Sequence, residues 1–130
     1  MAKIVREPVI ECLHSRGQVL VEGVRELLRR HEIEEFLSIS GHPSWSLMSF
    51  RDAAPYTQWQ IKTLWMQEVL RRGFLSVGSH NMSFAHTDED VAKLLECYDE
   101  VFEILAASVR GRTLEERLNC ETLVPLFRVR

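Results

Sequence analysis

Three consecutive side chains concentrate the chemistry of this sequence: Ser79, His80 and Asn81, a hydroxyl, an imidazole and an amide directly after Gly78. An imidazole changes charge near neutral pH, so His80 could move a proton, while Ser79 and Asn81 could hold a polar ligand. Ser79, His80 and Asp88 could together form a small hydrolase centre, although no GxSxG elbow supports one. The plainer alternative is a polar hairpin loop in which Asn81 serves as a turn residue. His86 immediately precedes a helix cap, where packing around the helix start is its expected role. His42 falls in a turn, and His14 and His31 fall on the first helix, where solvated positions are expected.

The five histidines show no paired metal-ligand spacing, and Cys12, Cys97 and Cys120 lie too far apart for a zinc motif. Reduced thiols account for the cysteines. Lys3, Lys62 and Lys93 are the three candidate amine nucleophiles, and neither Lys62 nor Lys93 has the apolar surroundings that would depress its pKa. GxGxxG and GxxxxGK[ST] are both absent, so nothing marks a phosphate loop. Trp45, Trp59 and Trp65 are expected to anchor a core or an interface.

The elements that must position Ser79, His80 and Asn81 follow from periodicity. Gly73 stops a helix, a short apolar strand leads to a polar loop carrying His80 and Asn81, a second short strand follows, and Thr87 starts the next helix. Upstream, Pro8 fits a first helical turn, and Ile10, Leu13, Gly17, Val21, Val24 and Leu28 recur at three- and four-residue steps as far as about His31. Gly17 and Gly23 weaken this helix by about 1 kcal/mol each, and small residues at such positions let another element pack close. Glu34 to Ser40 and Ser44 to Phe50 read as strands joined through Gly41, His42 and Pro43, a connection short enough for an antiparallel pair. Thr57 with Gln60 has the spacing of a capping box ahead of an apolar face of Ile61, Leu64, Trp65, Val69 and Leu70. Thr87, Asp88, Glu89 and Asp90 open a helix whose apolar stripe runs from Val91 to Val109, with Gly111 at its end. Arg112 to Asn119 predicts a short amphipathic helix, and residues 123–129 look extended.

This order predicts an α+β two-layer domain, a small and mostly antiparallel sheet with helices packed on one face. Residues 1–130 form a single domain, with a core at about 6–110 and a tail at 111–130 that is solvated or docks on something else. With 45% hydrophobic and 27% charged residues, the composition is that of a globular chain. A net charge of -3 argues against a nucleic-acid partner held mainly through phosphates, despite a locally basic tail. No apolar run is long enough to span a bilayer and the N-terminus has no signal-peptide pattern, so a cytoplasmic location is expected.

Residues 73–91 closely resemble the C-terminal segment of class III pyridoxal-phosphate-dependent aminotransferases, in the branch similar to glutamate-1-semialdehyde 2,1-aminomutase. In that branch a helix ending in Arg-Gly leads through a strand and a polar loop to S-x-AHT-x-x-D, which here reads Ser83-Phe84-Ala85-His86-Thr87-Asp88-Glu89-Asp90. The likeness extends upstream to Glu7-Pro8-Val9-Ile10 and to residues 41–50, and covers about residues 6–110. His42-Pro43-Ser44-Trp45 and His80-Asn81-Met82 depart from the aminomutase pattern and favour an aminotransferase-like relative. The resemblance implies the small domain of a fold-type I enzyme, covering the active site and contributing substrate-facing residues at Ser79, His80 and Asn81. It also implies that pyridoxal phosphate and the Schiff-base lysine belong to a large domain outside these residues, that the parent is a homodimer, and that the chain alone is inactive. Two alternatives stand beside it: a free-standing interaction module derived from that domain, and the small hydrolase. A fragment predicts an exposed apolar docking face, prone to self-association, whereas a module predicts a closed polar surface.

Overall fold

The computed structural model describes residues 7–42, 45–74, 78–81, 87–119 and 122. Among them, helices α1 (Glu7–Arg30), α2 (Gln58–Arg71), α3 (Asp88–Arg110) and α4 (Leu114–Arg117) accompany strands β1 (Leu37–His42), β2 (Trp45–Phe50) and β3 (Ser79–Asn81). The strands form one antiparallel sheet in the order β1-β2-β3, which is the predicted α+β architecture.

Of the stripe that predicted α1, Val21, Val24 and Leu28 are buried, and Leu20 and Leu27 join them in the core, while the side chains of Ile10 and Leu13 lie outside the described set. Gly23 performs the expected packing role. A Cβ there would lie 2.7 Å from the Leu95 side chain, so its absence lets α1 approach α3 closely. After α1, Glu32 turns the chain with φ 56, and Ile33 and Phe36 enter the core before β1 begins. β1 therefore starts later than Glu34 and runs on to His42, paired from Leu37↔Phe50 to His42↔Trp45.

The predicted caps form. Thr57 Oγ1 accepts from Gln60 N at 3.3 Å while Thr57 N donates to Gln60 Oε1 at 2.9 Å. Thr87 and Asp90 reciprocate in the same way at the start of α3. Gly73, at φ +89, lets its own N–H reach Leu70 O and that of Phe74 reach Val69 O, closing α2 with the left-handed turn expected of glycine.

Strand alternation then divides the sheet. Leu37, Ile39, Ser46, Met48, Phe50 and His80 are buried beneath the helices, whereas Trp45 is 68% and Leu47 50% exposed on the opposite face. The core centres on Trp65, fully buried between Phe50 and Tyr98 at ring separations of 5.5 and 5.8 Å, with Tyr98 stacked on Phe102. Burying such a ring stabilises by about 1.5–3 kcal/mol, so this cluster is the main weight of the inner layer.

Two expectations are corrected. Ser79 to Asn81 is a strand, not a loop, because Gly78 at φ +104 lets its carbonyl accept from Met48 N at 2.6 Å and so begins pairing with β2. Most of the sequence expected to form a short strand on either side of it lies outside the described residues, as does His86. The first part of the tail is also neither solvated nor detached. Leu114 is fully buried, Tyr56 Oη donates to Glu115 Oε2 at 2.5 Å and accepts from Leu114 N, and Gln67 bonds the backbones of Arg117 and Asn119.

Candidate functional site

β3 is held by β2 through the register Trp45↔Asn81, Ser46↔His80 and Leu47↔Ser79. Directly opposed residues share a face of an antiparallel pair, so His80 joins Ser46 on the inner side and Ser79 joins exposed Leu47 on the other. Ser79 is half-buried.

His80 is only 7% exposed, so it belongs to the core and not to the polar, ligand-facing loop that the sequence predicts. Its Nδ1 shares a hydrogen bond with Ser46 Oγ at 3.0 Å and its Nε2 one with Tyr98 Oη at 2.6 Å. A neutral imidazole has one donor and one acceptor nitrogen, and both are used here. Burial pushes the ring's pKa down to about 4, so His80 is neutral at pH 7. The side chain joins β3, β2 and α3 at one buried point. It has no nitrogen left for a ligand or for proton transfer to one.

The hydrolase centre fails on the same geometry. Asp88 bonds Arg16 at 3.1 Å on an exposed surface, while the ring nitrogens of His80 are taken by Ser46 and Tyr98. Neither Ser46 nor Tyr98 was singled out with His80 from the sequence. Tyr98 lay in the apolar stripe of α3, where a buried hydroxyl requires some partner, but the stripe does not say which.

The other histidines divide. His31 is not solvated: its Nε2 lies 2.7 Å from Asp99 Oδ1 and its ring packs edge-on against Phe102. His14 and His42 are exposed, with their rings 5.6 Å apart at centroids. Among the described residues no three His, Cys, Asp or Glu side chains converge as a metal site, and no helix is long and apolar enough to cross a membrane. Cys97 is a buried free thiol whose pKa burial raises, which makes it less nucleophilic. Cys12 and Cys120 carry no described side chain.

Two of the three lysines named above as possible amine nucleophiles lie among the described residues. Lys93 is paired with Glu89 at 3.3 Å on the surface, and Lys62 lies 6.0 Å from the centre of the Phe50 ring. Lys3 is outside the described residues. What the structure does present is the outer sheet surface around Trp45, Leu47 and Ser79, polar and apolar by turns and uncovered by any described element.

No family model and no curated protein sequence matches the chain. Solved structures do. A transaminase with pyridoxal phosphate bound superposes with a TM-score of 0.70 at 17% identity, over 83% of this chain and 26% of that one. The FumI protein of Sphingopyxis sp. MTA144, in its pyridoxal-phosphate internal aldimine form, gives 0.67 at 28% identity over 84% of this chain and 26% of that one. An omega-transaminase from Sphaerobacter thermophilus gives 0.55 at 17% identity, over 76% and 24%. The chain thus has the fold of a portion of these transaminases, and spans about a quarter of their length.

Proposed function

We propose that the chain is the C-terminal small domain of a pyridoxal-phosphate-dependent aminotransferase, of class III and near the glutamate-1-semialdehyde aminomutase branch, and that it closes over an active site carried by a large domain. The observation that carries this reading is the superposition of 84% of the chain on a quarter-length portion of an internal-aldimine enzyme. The exposed pair Trp45 and Leu47 supports it, because an isolated apolar stretch on a sheet face is what a separated domain would leave uncovered.

In this reading Ser79 and Asn81 are the substrate-facing residues. His80 acts through position: by pinning β3 to Ser46 and Tyr98 it sets where its two neighbours stand. The bound cofactor would supply the electron sink for amino transfer, from the large domain. The chain contributes cover and orientation and is inactive alone. The parent is a cytoplasmic homodimer, and self-association of the separate chain would occur through the outer sheet surface.

The test is titration of the purified chain with pyridoxal phosphate and an amino donor, together with the genomic sequence flanking residue 1. Absence of a lysine-bound visible chromophore and of turnover, with a lysine-bearing cofactor domain encoded in frame or beside it, is the expected result. A chromophore with transaminase turnover from the chain alone would overturn the inactive-lid reading. Flanking sequence that encodes no cofactor domain would favour the free-standing module.

A further inference from the structure

Among the described residues β1 is an edge strand, and the phase of its hydrogen bonding shows which groups it leaves open. Arg51 N donates to Phe36 O at 2.8 Å, so in the register that follows, residues 38, 40 and 42 turn their backbone groups toward β2. Leu37, Ile39 and Gly41 turn theirs away. Leu37 N is taken by Ile33 O at 3.1 Å, but the Leu37 carbonyl and both backbone groups of Ile39 meet no backbone partner among the described residues.

An open groove runs beside this edge, with α1 as its far wall. Leu28, Leu37 and Ile39 make its apolar floor, Arg25 and Arg29 stand along the α1 side, and Glu34 marks one end. Arg29 donates through Nη2 to Glu26 at 2.7 Å, whereas Arg25 makes no ion pair among the described residues. Native edges are commonly blunted by proline, bulges or an inward charge, and Leu37 to Ile39 carries none of these.

We propose that this groove accepts an extended acidic peptide segment as a fourth strand against β1. Backbone pairing to Leu37 O and Ile39 would provide affinity without regard to sequence, and the side chains that alternate toward α1 would provide selectivity. One such side chain packs on Leu28 and Ile39, and a carboxylate one alternation away reaches Arg25, with Arg29 beside it. Arginine forks suit carboxylates because two parallel hydrogen bonds can form. The surface is separate from the outer sheet face and does not depend on the transaminase reading.

The probe is a fluorescein-labelled, end-capped heptapeptide of threonines with glutamate, valine and glutamate at its three inward positions, followed by anisotropy against the full chain. Saturable binding is expected, weakened at least about tenfold, or about 1.4 kcal/mol, when Arg25→Glu and Arg29→Glu are combined. A second measurement leaves the protein untouched: N-methylation of the peptide amides facing β1 should abolish binding, while methylation of the alternate set should leave it nearly unchanged. Failure to saturate, affinity indifferent to charge reversal, or indifference to which amides are methylated would each overturn the proposal. Pairing of two copies through this edge that the peptide cannot displace would overturn it as well.

Discussion

The inner and outer faces of the three-stranded sheet are made by alternate residues of the same strands, yet their physical situations are opposite. Inward, Ser46 and His80 are polar but engaged, with each ring nitrogen of His80 bonded and the Tyr98 ring 5.7 Å from its own. Outward, Trp45 and Leu47 are apolar and open, with no described element covering them. Residue type alone would reverse the two assignments. The difference teaches that in this sheet a side chain's fate is decided by strand parity and by what stands opposite, because a polar group is tolerated inside once its hydrogen bonds are made.

The largest test of that contrast is Trp65→Ala. Removing a fully buried indole from the centre of the inner layer should cost about 3–5 kcal/mol, a large part of a typical domain's stability. Urea unfolding measures it, and a loss below about 1 kcal/mol would mean that the inner layer is not the stabilising one.

Acidification comes next. The folded-state pKa of His80 lies near 4, below its usual 6.5, so the unfolded chain takes up the proton first. The stability contributed by keeping the ring neutral is complete above pH 6.5 and is lost as pH falls toward 4, by about 3 kcal/mol in all. Unfolding midpoints at pH 7, 5 and 4 should decline through that window, and His80→Gln, which cannot titrate, should flatten the decline. An unchanged slope in that variant would detach the pH dependence from His80.

Smaller effects sharpen the picture. Thr87→Ala removes the cap that accepts from Asp90 N and should destabilise by about 1 kcal/mol, read from the thermal midpoint. Ser108 is fully buried with a hydroxyl that finds no partner among the described residues, so Ser108→Ala should be neutral or should stabilise by up to about 1 kcal/mol. The smallest change in stability belongs to the outer face. Trp45→Ser with Leu47→Ser should shift unfolding by no more than about 0.5 kcal/mol for each substitution, while reducing self-association in sedimentation. A shift comparable to that of Trp65→Ala would erase the distinction between the faces.

Much of the scaffold was legible in the residues. The spacing of Val21, Val24 and Leu28 locates α1, and the pairs Thr57 with Gln60 and Thr87 with Asp90 mark two helix starts to within a residue. These are local signals, carried by side chains within one turn of each other. β3 was not legible, because Ser-His-Asn has the composition of a loop and its strand character comes from pairing with β2, more than thirty positions earlier in the chain. His31 was misplaced for a related reason, since its partners Asp99 and Phe102 reach it from α3.

By itself, the sequence determined the helices, their caps, the antiparallel β1-β2 pair and the α+β class, since each depends on periodicity or on groups a few residues apart. Only the tertiary structure decided that His80 is a buried neutral pin and that, among the described residues, Trp45 and Leu47 are left open and β1 keeps an unpaired edge. Those outcomes depend on which distant groups arrive to satisfy a hydrogen bond or to cover a surface, and no local pattern encodes that arrival.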